Sequence, residues 1–342
     1  MAYGVVIRRA KAFVFLSMMD FTISVAMCTF NGSRFLRSQL ESIARQSRPP
    51  RELVICDDRS SDNTSEIVRD FSRDTGFPVR LEVNTENIGS TKNFEQAIRL
   101  CRGHIVALAD QDDVWYPNKL ERLEQAFLRD GTAAVFSDAD LIDEESNSLA
   151  CRLWPTVGFN RLEQKAFRKN GALAILIKHP VVTGACMAFR RDLFDRMTPF
   201  PAEEIHDQWM SFLLATQGHI EIIADPLLQY RRHSQQQVGP GPLKLQGQMS
   251  SAKSRGKQFY VNEIERFRRL QRKLGESSAH FQNSESVSQE IRRKLVHLER
   301  RAYLPTRRMA RVPRILHEIS DGSYWRYSGG WISVVKDLIV RT

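Results

Sequence analysis

Apolar residues come in short blocks over the first 140 positions, and the blocks alternate between strand-like and helix-like spacing. Ile23–Thr29 is a β-rich run ending at the turn Phe30-Asn31-Gly32. Phe35, Leu36, Leu40, Ile43 and Ala44 then recur at helical spacing until Pro49-Pro50 ends the pattern. Residues 52–56 form an apolar strand running into Asp57-Asp58, and Asn63 with Glu66 predicts a capping box opening a helix through Phe71. Val79–Val83 is a strand; 93–101 is a short helix with Gly103 as its expected C-terminal cap. Residues 104–109 are continuously apolar, as in a strand covered on both faces, and stop at Asp110-Gln111-Asp112-Asp113. A helix over 117–128 and a strand over 133–136 follow, the latter leading into Ser137-Asp138. Such repeated strand–helix units predict an α/β protein with a doubly wound, mostly parallel sheet.

Beyond residue 140 the pattern loosens. Residues 153–170 read as mixed loop and helix, 181–189 as an apolar strand with Gly184 near its centre, and 205–217 as a helix. A strand over 219–224 ends at Asp225-Pro226, and 227–233 is extended. Gly239-Pro240-Gly241-Pro242 marks a boundary, after which basic helices are expected over 256–274 and 286–303. The expected organisation is an N-terminal extension at 1–21, a catalytic domain at 22–239 and a basic helical region at 240–342. Translation starting at Met18 or Met19 would leave the extension out of the fold.

Charge separates the same regions. The net charge is +10. Residues 240–342 carry 21 Lys and Arg against 9 Asp and Glu, a net +12, and the rest of the chain sums to −2. The basic third therefore calls for an anionic partner. With Trp325, Trp331 and several tyrosines close by, peripheral contact with an anionic membrane fits better than nucleic acid, for which no motif is present. No run of 18 apolar residues occurs, so no spanning helix is expected. Five widely spaced cysteines without a CxxC suit small buried thiols in a reducing compartment. The cytoplasm, with association at the inner face of the plasma membrane, is the expected location.

Ligands of open α/β sheets bind outside the carboxyl ends of the strands, where Thr29/Asn31, Asp57/Asp58 and Asp110/Asp112 fall. Two carboxylates two residues apart on a turn can share a divalent cation, and hard oxygen ligands suit Mg²⁺ or Mn²⁺ bridging substrate phosphates. Asp138-Ala139-Asp140 has the same spacing, so the spacing alone says little; the long apolar strand before Asp110, continued by Asp113-Val114-Trp115, favours the first triplet.

Four segments in order resemble the successive motifs of family 2 glycosyltransferases with the GT-A fold. They are Ser24 to Asn31, Cys56 to Asp62, Asn87-Ile88-Gly89 with Lys92-Asn93, and Ala109 to Trp115. The resemblance spans about residues 22–235 and implies inverting transfer from a nucleoside-diphosphate sugar. It places Thr29, Asn31 and Asp58 or Asp57 at the base and ribose, Lys92 near the nucleotide, Asp110 at the ribose and Asp112 on the metal. Glu203-Glu204-Ile205-His206-Asp207-Gln208-Trp209 resembles the catalytic-base motif, with Asp207 as the base and Glu203 and Glu204 as neighbours able to raise its pKa. Val182 to Cys186 resembles an acceptor-side strand in which Gly184 admits a sugar, and Asp138 is a further acceptor candidate. Tyr230-Arg231-Arg232-His233 resembles a late motif over the diphosphate, with Arg231 on phosphate and His233 on phosphate or metal. Either arginine could face the site.

The Gln-x-x-Arg-Trp signature of processive synthases is absent from the sequence, which points to single addition onto a glycan or lipid-linked saccharide. The tail loosely resembles rhamnosyltransferase-type members, which suggests dTDP-rhamnose or a UDP-sugar as donor. A sugar-nucleotide pyrophosphorylase would need an early glycine-rich phosphate loop, where only Gly32 occurs. A non-catalytic binding module would be expected to lack Asp110, Asp112 or Asp207, and all three are present.

Overall fold

The computed structural model describes residues 21–234, 236, 256–276, 281 and 283–339. Residues 1–20 of the expected extension at 1–21 and the boundary at 239–242 lie outside them, whereas Phe21 is buried in the apolar core and so belongs to the fold. Strands β1 (Ile23–Thr29), β2 (Glu52–Asp57), β3 (Val79–Val83) and β4 (Ile105–Ala109) form a parallel block in the order β3-β2-β1-β4. Helices α1 (Leu36–Ala44), α2 (Thr64–Asp74) and α3 (Ser90–Leu100) connect them. The rest of the sheet is mixed. β5 (Val114–Trp115), β6 (Thr132–Ile142), β7 (Ser148–Arg152), β8 (Met187–Arg190) and β9 (His219–Arg231) extend it beyond β4 in the order β8-β6-β9-β5, with β7 on β6. β6 runs parallel to β9 and antiparallel to β8. Helix α4 (Lys119–Phe127) packs against β6.

Apolar clusters cover both faces of the sheet, as the uninterrupted burial of β4 requires. One includes Phe94, Val106, Phe136 and Phe189. It also takes side chains from α5 (Ala172–Lys178), α6 (His206–Ala215), α7 (Lys257–Glu276) and α8 (Ser284–Ala302). Phe212 of α6 meets Phe267 of α7 edge-on at 6.3 Å. The basic region therefore packs its helices into the core of the sheet domain. It continues through α9 (Arg308–Ser320), α10 (Ser323–Tyr327) and α11 (Trp331–Ile339). Among the described residues no helix is long and apolar enough to cross a membrane.

Several local expectations change. Asn63 makes no side-chain cap; Asp62 accepts from the backbone N–H and hydroxyl of Thr64 instead. Gly103 does not cap a helix but lies against β1, where a Cβ would stand 2.6 Å from the Ser24 nitrogen. β6 extends to Ile142, and β9 passes through Asp225-Pro226, absorbing them at a register shift opposite Ser137 and Asp138.

Candidate active site

A cavity of about 1190 Å³ opens at the carboxyl ends of β1 and β4. Asp110, Gln111, Asp112, Gly184, His206, Asp207 and His233 line it together with Thr29 and Asp58. Carboxylate oxygens of Asp110, Asp112 and Asp113 all lie within 4.8 Å of one another. His233 Nε2 is 2.7 Å from Asp112 Oδ2.

Two amide side chains tie the loop holding these groups. Gln39 of α1 donates to the Asp110 carbonyl at 3.0 Å. Gln111 uses both ends of its amide on Phe30, accepting from its N–H at 2.9 Å and donating to its carbonyl at 3.1 Å. That pairing requires Gly32, because a Cβ there would sit 2.2 Å from Gln111 Oε1. Beneath the loop, the buried Lys119 donates to the Ala185 carbonyl at 2.6 Å and lies 3.8 Å from the centre of the Trp115 ring. Burial lowers its ammonium to about 8, against the pull of the acidic groups above.

Crowded negative charge dominates the electrostatics. Withdrawal from water, with Asp112 and Asp207 as like charges nearby, raises the Asp110 carboxyl to about 7. Asp113, fully buried, is pushed well above the carboxylate range by burial and then by Asp112 and Asp110. Its Oδ1 accepts from the Arg231 N–H, and Oδ2 has no hydrogen-bond partner. A divalent cation would relieve this repulsion, and the carboxylate oxygens are hard donors that suit Mg²⁺ or Mn²⁺. The residues present therefore fit a metal.

Asp207, also on the cavity wall, stands in the first turn of α6, and its Oδ2 accepts from the Gly184 N–H at 2.8 Å. Among the described residues its other oxygen has no protein donor. Gly184 belongs to a 3₁₀ turn rather than to the expected strand, which begins only at Met187. Its missing Cβ makes room for His206, whose Nε2 would lie 2.7 Å from that atom. His206 stacks on Phe94 with centroids 4.0 Å apart, is buried, and has no partner for either ring nitrogen. Burial lowers its pKa, so the ring is neutral. As an unpaired polar group facing the cavity, His206 joins the site; in sequence it showed only as the residue preceding Asp207. Glu204 does not face Asp207. It is buried between Arg269 at 2.6 Å and Arg266 at 3.8 Å, both from α7. Asp110 is the carboxylate whose charge is felt together with that of Asp207.

Other candidates are fasteners. Asp57, fully buried, accepts from Thr29 Oγ1 and from the N–H and hydroxyl of Ser60, so Asp58 is the member of the pair that lines the cavity. Asp58 accepts from the N–H groups of Ile88 and Gly89 and from Asn84. Asn31, at φ 48°, accepts from the Ser61 N–H and hydroxyl away from the cavity. Lys92 pairs with Glu95 at 2.9 Å. Arg231 is buried, donating to the carbonyls of Asp112, Asp143 and Glu144, and does not line the cavity. Asp138 is buried inside β6, accepting from the N–H groups of Ala139 and Trp154, and is likewise absent from the cavity wall.

Comparison with known proteins places this geometry. An uncharacterised glycosyltransferase of Nostoc is 25% identical over 218 residues, 62% of this chain and 65% of its own length. The Escherichia coli enzyme named UDP-Glc:alpha-D-GlcNAc-diphosphoundecaprenol beta-1,3-glucosyltransferase is 29% identical over 127 residues, 37% of this chain and 49% of its own. The chain thus spans about half to two thirds of the length of these relatives. Residues 1–349 of S. aureus TarS, solved with UDP-GlcNAc, superpose with a TM-score of 0.52 over 81% of this chain and 72% of that one, at 17% identity, a likeness of fold. The family described as glycosyl transferase family 2 matches residues 24–198, more than half of the chain, and the chain belongs to that family.

Proposed function

We propose that this protein transfers one sugar, with inversion, from a nucleoside-diphosphate sugar to a hydroxyl of a glycan or lipid-linked saccharide in cell-surface polysaccharide synthesis. The carrying observation is the convergence of Asp110, Asp112 and Asp207 on one cavity. Asp58 and Thr29 border the nucleoside end, with Asp110 at the ribose. Asp112 and His233 would hold Mg²⁺ or Mn²⁺, which supplies charge neutralisation at the diphosphate leaving group. Asp207 takes the proton from the acceptor hydroxyl through its open oxygen. The acceptor oxygen bonds to C1, and the bond from C1 to the diphosphate oxygen breaks, releasing the nucleoside diphosphate. The donor in the E. coli relative's name supports a UDP-sugar, and dTDP-rhamnose is the second donor to test. The cytoplasm, where nucleotide sugars are made, is the proposed location.

The test is a screen of UDP-, dTDP- and GDP-sugars with each metal, reading thermal stabilisation and nucleoside-diphosphate release. One nucleotide class should stabilise the protein only with metal, and Asp112→Ala should abolish the effect. No response from folded protein would overturn the donor site and favour a non-catalytic module.

A further inference from the structure

We infer that the outward face of α11 seats on an anionic lipid bilayer and holds the far end of the cavity against the membrane surface. The inference rests on the transfer reading only for what the docking delivers. At about 100° per residue, Trp331, Ile332, Val335 and Ile339 share one arc of roughly 100°. They are 63%, 78%, 50% and 55% exposed. The inward arc of the same helix buries Val334 and Asp337. A helix that turns a wholly apolar stripe to water marks an interaction surface. Trp325 extends the stripe, meeting Trp331 edge-on at 5.3 Å. Met309, 83% exposed, extends it at the other end, where Arg308 donates to the Ile339 carbonyl at 3.1 Å.

Charge selects the occupant. Residues 307–339 carry six Lys and Arg against three Asp and Glu. Asp337 is buried against Arg301, and Glu318 against His297 and Arg300. Arg307, Arg308, Arg314 and Arg326 are exposed. An apolar stripe with tryptophans beside arginines matches the acyl–headgroup boundary of an anionic leaflet. A second copy of the chain would set these cationic rims against each other, which disfavours a symmetric dimer.

Location gives the surface a purpose. Ile332, Ser333 and Lys336 of α11 line the cavity that holds Asp110, Asp112 and Asp207. A saccharide on a membrane lipid would therefore reach Asp207 without leaving the bilayer surface.

The test uses the full chain and co-sedimentation with vesicles of phosphatidylcholine alone or with about 30% phosphatidylglycerol. Partitioning should be about tenfold or more stronger on the anionic vesicles and should weaken as salt rises. The triple variant Trp331→Ser, Val335→Ser, Ile339→Ser should lose about tenfold or more of that partitioning. Its melting temperature and nucleotide response should be unchanged, since these residues are exposed and outside the cavity wall. Val335→Glu should act in the same direction. Failure of wild type to bind anionic vesicles, or equal binding by the triple variant, would overturn the inference. So would a dimer in sedimentation velocity that the triple variant dissolves. Turnover of a water-soluble acceptor by the triple variant should match wild type; if neither protein transfers sugar, the transferase reading fails while the vesicle result stands.

Discussion

Replacing Asp207 by Asn isolates proton abstraction from architecture. The side chain keeps its size, and its carbonyl oxygen can still accept from the Gly184 N–H, now bonded at 2.8 Å. Trp209, Met210, Phe212, Leu213 and Leu214 anchor α6 in the core independently of residue 207. The stability change should stay within about 1 kcal/mol, the scale of one altered hydrogen bond. What is lost is the basic oxygen. General-base catalysis contributes about 10²–10⁴-fold, and at about 1.4 kcal/mol per tenfold that adds roughly 3–5.5 kcal/mol to the barrier. kcat should fall by this factor with little change in donor affinity. Asp110 supplies an internal control. Asp207 is one of the charges raising its carboxyl to about 7, so in the variant Asp110 should ionise more readily and metal-dependent nucleotide stabilisation should be at least as strong. The assay is nucleoside-diphosphate release with and without acceptor, alongside a thermal-shift titration of the nucleotide. A variant retaining kcat within about fivefold of wild type would refute Asp207 as the base, as would a loss confined to donor affinity.

Three further outcomes follow from the geometry. His206→Phe keeps the stack on Phe94 but removes both unpartnered nitrogens; acceptor KM should rise by about tenfold, near the worth of one hydrogen bond, with nucleotide stabilisation intact. Although burial works against it, hydrogen bonds from His179 and Lys178 hold the Glu163 carboxyl down at about 2, below its value of 4.5 in the unfolded chain. It stabilises the fold above pH 4.5 and loses that contribution as pH falls towards 2, so Glu163→Gln should cost about 1–3 kcal/mol at pH 7 and almost nothing near pH 2, read by denaturant titration at both. Asp337→Ala strands the buried Arg301 guanidinium, which donates to both carboxylate oxygens at 2.7 and 3.0 Å, and should cost about 3–5 kcal/mol in the same titration.

What the sequence discloses depends on how local the signal is. The carboxyl ends of β1, β2 and β4, and with them the placement of Asp58, Asp110 and Asp112 at one sheet edge, follow from apolar periodicity and chain topology. Roles assigned to single polar residues were less legible, because burial is settled by distant partners. Asp138 resembles a site carboxylate until β6 is seen to run six residues past Phe136, which puts it inside the sheet beneath Trp154. Arg231 resembles a phosphate ligand, but three backbone carbonyls from two loops claim its guanidinium. His206 carries no sequence signal of an empty hydrogen-bonding shell, which arises only where Phe94 and Gly184 meet it. The basic tail shows the same division. Charge counting treats Arg266, Arg269, Arg301 and Arg311 as surface cations, yet Arg266 and Arg269 hold Glu204, three residues before Asp207. Arg301 and Arg311 fasten α11 through Asp337. The tail therefore anchors the segment that leads into Asp207 and contributes to the cavity wall. Truncating it would expose the core and loosen the proposed base together, which is why the point substitutions above are the sharper tests of chemistry.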